Sequence, residues 1–314
     1  MIVRPDPDTL MAGELGTWLK GQDAVRAGAR AKAGWWQKSG IGAACAVAFG
    51  IVVIGGDIGL ALKIGLVIGA AGFGIGEWVK RPVIRSIKGG INGAIARALD
   101  MAFDVDVTPG AEYTTAKAFQ MFPNYDRSNF EDCWRGAVGA HSFLLYEANL
   151  EEERSTGKSS TWVTVFRGSI IEIGFARRFQ GVTLVERAGR RKRLFGLLGD
   201  AEEIKLGGID LARIDMVDPR FGEDFAVWSN DQVEARYLVH PEYVERLMKV
   251  EETFSGEKIR TLFTDGSLII VLESGDLFES GSIDSSNDRR LLESTIEQFG
   301  TLVDLAATLN ERPR

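Results

Sequence analysis

Histidine and cysteine are nearly absent from this chain: its 314 residues hold two of each, His141 and His240, Cys45 and Cys133. Two cysteines cannot build the disulfide framework of a small secreted domain, which suits a reducing compartment. Two histidines leave little material for a His-based metal site or a serine-type triad. His141, in an apolar run eight residues after Cys133, reads as a histidine satisfied by backbone groups rather than as a thiolate's partner. A cleavable leader also lacks its pattern, because the first apolar run starts about forty residues in and has no short core followed by a cleavage site. Phosphate and calcium loops are mimicked without being built. Thr156-Gly157-Lys158-Ser159 ends like a P-loop, but Glu152 stands where the leading glycine must be. Asp104-Val105-Asp106 opens like a calcium loop, but Pro109 and Thr115 hold the positions of the turn glycine and the bidentate carboxylate. No cofactor is implied.

What the chain does have is a long stretch almost without charge. Ser39 to Gly76 spans 38 residues with two charges, Asp57 and Lys63. A spanning helix needs about 17 to 25 mostly apolar residues, so Ser39–Gly56 and Ile58–Gly76 read as a transmembrane helical hairpin turning at Gly55-Gly56-Asp57. Lys20, Arg26, Arg30, Lys32 and Lys38 precede it and Lys80, Arg81, Arg85 and Lys88 follow it. By the positive-inside rule both termini are then cytoplasmic, in a bacterial inner membrane, with Trp35, Trp36 and Trp78 at the inner boundary. The outer boundary lacks an aromatic belt, so a re-entrant hairpin stays open beside a full span. Small residues recur at helical spacing, Gly42, Ala46 and Gly50 on the first helix and Gly65, Gly69, Gly72 and Gly76 on the second, as close helix packing in lipid requires. They serve either the two helices of one hairpin or a homo-oligomer.

Around the hairpin four parts are expected: 1–38, an amphipathic interface helix capped by Asp8; 39–76, the hairpin; 77–100, a basic connecting helix kinked near Gly89, Gly90 and Gly93; and 101–314, a cytoplasmic domain. Residues 1–99 hold 12 Lys/Arg against 6 Asp/Glu, so of the net charge of −7 the remaining residues carry −13. An acidic domain argues against nucleic acid as a partner. From Met101 the periodicity shortens to strands at 101–107, 139–149, 162–175, 183–187, 203–206, 225–228, 258–264 and 267–273, the last two joined by the hairpin signal Asp265-Gly266. Helices are expected at 112–121, 231–238, 241–252 and 288–309. The fold class is therefore α+β, mixed and mainly antiparallel, ending in a helix.

Three segments carry a resemblance: Thr164-Val165-Phe166-Arg167-Gly168, Phe179-Gln180-Gly181-Val182-Thr183, and Phe225 to Leu238 with Asp231-Gln232-Val233-Glu234-Ala235-Arg236-Tyr237-Leu238 as its most specific part. From about Phe130 to Glu279 the chain resembles a family of bacterial proteins with a membrane hairpin near the N-terminus and a cytoplasmic domain, catalogued only as a domain of unknown function. Pro241, Leu247 and Met248 keep the family's wording loosely. The resemblance implies an envelope process shared with LemA-type membrane proteins, and it transfers no catalytic residue. Read physically, Asp231 caps a helix and Val233, Tyr237 and Leu238 form its apolar face.

One charge run stands out in the acidic domain. Arg187, Arg190, Arg191, Lys192 and Arg193 lead into Leu194, Phe195, Leu197 and Leu198. This is either a solvated loop or a contact with the anionic inner leaflet, with Phe195 inserting beside the charges. The leading expectation is a non-catalytic inner-membrane protein whose domain binds a partner or senses a ligand. A homo-oligomeric pore or mechanosensitive element, and a membrane-tethered carboxylate enzyme, are the alternatives.

Overall fold

The computed structural model describes residues 3–155, 157, 159–175, 178–193, 198–216, 224–253, 258–275 and 277–310. The chain divides into two compact units, Asp6–Ala94 with Glu279–Glu293, and Ile95–Phe278 with Met1–Pro5 and Ser294–Arg314.

The first unit is helical. Asp6 rather than Asp8 caps helix α1 (Pro7–Ala12): its carboxylate accepts from the Thr9 amide, and Pro7 fills the first helical position, where a missing N–H costs nothing. Gly13 separates α1 from α2 (Glu14–Gly21), so the expected single helix is broken there. Helix α3 (Asp23–Val53) and helix α4 (Ile58–Ala98) form the hairpin. Gly55 turns it with φ +79°, and Asp57 caps α4 by accepting from the Leu60 amide at 2.7 Å. The stretches Glu14–Val53 and Ile58–Ala98 are each long and apolar enough to cross a membrane.

Helix α4 is continuous from Ile58 to Ala98, with Pro82 inside it. The indole of Trp18 lies against Gly90, so closely that a Cβ there would sit 2.3 Å from the ring. That glycine therefore makes room for the Trp18 side chain. The polar segment Glu279–Glu293 belongs to the same unit. Arg26, fully buried, donates from both terminal nitrogens to the Asp288 carboxylate at 2.8 Å each, and Lys88 Nζ meets Glu279 at 2.6 Å. Ser280 donates to Asn92 Oδ1 at 2.6 Å.

The second unit is a ten-stranded sheet built from β1 (Ala102–Asp106), β2 (Arg127–Val138), β3 (His141–Ser155), β4 (Ser160–Gly174), β5 (Thr183–Arg187), β8 (Glu203–Leu206), β9 (Ile209–Arg213), β10 (Phe225–Ser229), β11 (Lys258–Thr264) and β12 (Ser267–Glu273). Its order is β1-β2-β3-β4-β12-β11-β5-β10-β9-β8, and every pair is antiparallel. The short β6 (Lys192–Arg193) and β7 (Leu198–Asp200) pair separately. Helices α5 (Ala111–Ala118), α6 (Gln232–Leu238), α7 (Pro241–Thr253) and α8 (Asp288–Asn310, in this unit from Ser294) complete it. The architecture is mixed α+β, as expected. Both sheet faces are buried. Tyr146, Phe166, Ile170, Leu184 and Trp228 pack with Ala116 and Phe119 around α5. On the other face Trp134, Phe143 and Phe278 gather on Phe299 of α8. The Asp265-Gly266 turn has both φ values positive (46° and 83°), the two-residue geometry that suits a twisted hairpin.

Candidate functional site

The basic run begins at the last residue of β5, and three of its members, Arg187, Arg190 and Arg191, engage protein groups. Glu186 on β5 is almost fully buried and directly opposite Arg260 of β11. Its carboxylate accepts from Arg190 Nη1 at 2.7 Å and from Arg191 Nε. The same guanidiniums close the C-terminal end of α5. Arg190 donates to the Gln120 carbonyl (2.8 Å), Arg191 to the Phe119 carbonyl (3.4 Å) and Arg260 to the Met121 carbonyl (2.5 Å). The last-turn carbonyls of α5 are taken by backbone amides, and the arginines bind the carbonyls just past them, where the helix end carries partial negative charge. Gln120 takes φ 53° as the chain leaves the helix. Burial, then the neighbouring Arg190, pushes Arg260 down to about 10, and burial likewise lowers Arg190. Arg187 lies over the Phe225 ring and pairs with Asp224 at 3.1 Å. Of the residues expected to touch lipid, Arg187, Arg190 and Arg191 are thus engaged by protein groups. Lys192 and Arg193 form β6, and Phe195 lies outside the described residues.

A second constellation joins two of the segments that carry the family resemblance, Phe179–Thr183 and Phe225–Leu238. Asp231 caps α6, accepting from the Val233 and Glu234 amides at 3.0 and 2.9 Å. Glu234, buried, accepts from the Gln180 and Gly181 amides at 2.7 and 2.8 Å. Asn230 Oδ1 accepts from the Val182 amide at 2.7 Å, and the Thr183 and Ser229 hydroxyls meet at 3.0 Å. Phe179–Thr183 is therefore held by the polar side chains of Ser229–Glu234. This corrects the expected face of α6: Glu234, Ala235 and Leu238 are buried, whereas Val233 is 81% and Tyr237 47% exposed. The reason is polar satisfaction, since the buried Gly181 amide and the part-buried Gln180 amide need an acceptor and Glu234 supplies it. Arg236 reaches the Asp215 carbonyl at 3.4 Å.

The histidines and Cys133 act as packing groups. His141 lies opposite Val138, five residues along β2 from Cys133, or about 16 Å at strand rise. Burial pushes the Cys133 thiol up, away from a reactive thiolate. His240 Nδ1 accepts from the Tyr243 amide at 3.3 Å at the start of α7, and burial lowers its pKa.

In the hairpin the second-helix glycines face α3. Gly72 meets Gly40 so closely that a Cβ would lie 2.7 Å from its Cα, Gly65 and Gly69 meet Ala44, and Gly76 meets Gln37 and Ala33. On α3 the contacting row is Gly40, Ala44 and Ala48. Gly42 and Gly50 have nothing within 4 Å, and Ala46 is exposed. A two-residue offset is about 200° around a helix, so Gly42, Ala46 and Gly50 lie on the opposite side of α3.

Residues 164–311 match the model of the family described as Protein of unknown function (DUF3137). The resemblance is thereby shown from Thr164 to Glu279, and the matched region runs on through α8. No curated protein matches the chain. Among solved structures, the crystal structure of the mycobacterial trehalose monomycolate transport factor A, TtfA, is similar at a TM-score of 0.33 and 10% identity, covering 74% of this chain and 98% of that one. A likeness at that level carries no argument.

Proposed function

We propose that this is a non-catalytic membrane protein, anchored by the α3–α4 hairpin in a bacterial inner membrane with both termini in the cytoplasm, whose sheet domain binds a partner protein. The observation that carries the anchoring is the level of the tryptophans. Because Gly72 abuts Gly40 and Gly76 abuts Gln37 and Ala33, Trp35, Trp36 and Trp78 lie at nearly one height on the hairpin. From Trp36 to the end of α3 at Val53 the helix rises about 26 Å, close to the thickness of about 30 Å of a hydrocarbon core. A full span fits this distance better than a shallow re-entrant loop.

Binding is favoured over catalysis because two clusters of buried charged groups hold backbone and one another: Glu186 with Arg190 and Arg191 at the end of α5, and Glu234 at the Gln180–Gly181 turn. The resemblance points to an envelope protein, such as a LemA-type protein, as the partner.

With Cys45→Ala and Cys133→Ala in place, Asp57→Cys is expected to react with an impermeant thiol reagent added to intact cells, and Ser39→Cys is not. Equal labelling of the two, or no labelling at position 57, overturns the spanning topology. Crosslinking in native membranes followed by purification should recover a second protein with the full chain; recovery of this chain alone counts against partner binding.

A further inference from the structure

Helices α6 and α7 meet at His240. Val239 closes α6 and Pro241 opens α7. The imidazole between them caps the second helix: its Nδ1 accepts from the Tyr243 amide at 3.3 Å, while the His240 carbonyl accepts the first helical bond, from the Val244 amide. That spacing is the one by which an N-cap side chain satisfies the third helical residue. Histidine is an unusual choice for the role. Its Nδ1 accepts only while the ring is neutral, because an imidazolium carries N–H on both nitrogens. The capped amide also belongs to the residue that ties α7 to the sheet. Tyr243 is buried, its hydroxyl donates to Thr261 Oγ1 of β11 at 2.7 Å, and its ring lies 5.4 Å from that of Phe263. Phe263 in turn lies 5.6 Å from Phe179, beside the Gln180–Gly181 turn.

We propose that His240 is an acid-sensitive latch: on gaining a proton it stops accepting from Tyr243, and the first turn of α7 loosens its hold on the sheet. The proton brings two changes of the same sense. An N–H then faces an N–H where the hydrogen bond was, and a positive charge stands at the positive end of a 13-residue helix, where cations are disfavoured. Neighbouring charges do not offset this. On α7 itself Glu242 favours the imidazolium and Arg246 opposes it, and these two pair with each other. Charged groups of the adjoining elements are committed elsewhere: Glu234 of α6 to the Gln180 and Gly181 amides, Arg236 to the Asp215 carbonyl, Arg260 of β11 to the Met121 carbonyl, and Lys258 to Glu273. Burial is the main influence on the ring, and it holds His240 below the ordinary histidine value of 6.5, so the ring is uncharged and capping at neutral pH. A released turn binds the proton more readily than the capped one. The contribution of the cap is therefore complete above about pH 6.5 and is lost as the pH falls through the lowered value.

The test uses the full chain in a neutral detergent. Hydrogen exchange of the first turn of α7, corrected for the intrinsic effect of pH on the exchange rate, is expected to lose about fivefold of its protection between about pH 7.5 and about pH 5, in line with the loss of a cap. His240→Asn, which caps without titrating, should remove that dependence, and His240→Ala should leave the turn poorly protected at both pH values. With two histidines in the chain, the imidazole titration can be followed directly by NMR, His141→Gln assigning the signals. The His240 midpoint should coincide with the loss of protection. Protection that does not change with pH, an equal loss in His240→Asn, a His240→Ala chain as protected as the parent, or midpoints more than about one pH unit apart would each overturn the proposal.

Discussion

Glu186→Ala is expected to lower the thermal midpoint of the purified chain by about 10 °C in the same detergent. The carboxylate is nearly inaccessible and is gripped by Arg190 and Arg191, with Arg260 directly across the strand pair. Removing it leaves three guanidiniums around the end of α5, of which Arg260 keeps the partly buried Glu273 at 3.6 Å. Breaking a buried ion pair by deleting one partner costs about 3–5 kcal/mol, because the remaining charge stays desolvated. At about 2–4 °C per kcal/mol for a domain of this size, that gives the expected shift. Arg187→Ala, which removes a half-exposed pair with Asp224, should change the midpoint by no more than about 3 °C. Similar shifts for the two variants would mean that Glu186 is not the centre of the cluster. The same geometry bears on lipid contact by the basic run. Arg190→Glu and Arg191→Glu would drive a second and third carboxylate against Glu186 and unfold the site, so flotation with anionic liposomes should instead be tested with Lys192→Glu and Arg193→Glu.

The strands that alternate cleanly between turns were legible. β5, β8, β11 and β12 lie at their expected bounds, and Asp265-Gly266 turns as its residue types demand. β2 was not legible, because it opens on exposed polar residues and its alternation is broken by a bulge between Glu131 and Trp134, where Asp132 takes φ 58°. β9 has a signal in the sequence, because Gly207-Gly208 separates Leu206 from Ile209 as a two-residue hairpin turn. In the hairpin, two small-residue rows exist on α3, and spacing alone does not say which one meets α4. The closest approach, Gly40 against Gly72, decides it. The clustered sites were hidden for a different reason. The inward turn of Arg190 and Arg191 depends on α5, some 70 residues earlier, ending beside β5, and the role of Glu234 depends on the turn at Gln180, 54 residues away. A charged residue that serves a distant backbone group has the same appearance in sequence as one that faces water.

The buried pair of the helical unit should respond asymmetrically to removal of either partner. Arg26 is completely inaccessible and joins α3 to the first turn of α8 through a bidentate contact with Asp288. Asp288→Ala leaves a guanidinium with no counter-charge in that contact and one nitrogen, Nε, already without a hydrogen-bond partner, so the full cost of about 3–5 kcal/mol is expected. Arg26→Met leaves the carboxylate at a helix N-terminus, where the dipole and free amides stabilise negative charge by roughly 0.3–2 kcal/mol. Its loss should be smaller by about that amount, and methionine fills much of the vacated space. Combining Arg26→Met with Asp288→Leu removes both charges, and replacement of a buried pair by apolar groups is often neutral or stabilising. The double variant should therefore recover most of the stability lost by Asp288→Ala. The measurement is the thermal midpoint in detergent together with the protease sensitivity of Glu279–Glu293, which Arg26 and Lys88 hold against the helices. If the double variant is as unstable as Asp288→Ala, hydrogen-bond geometry rather than charge compensation holds this segment in place.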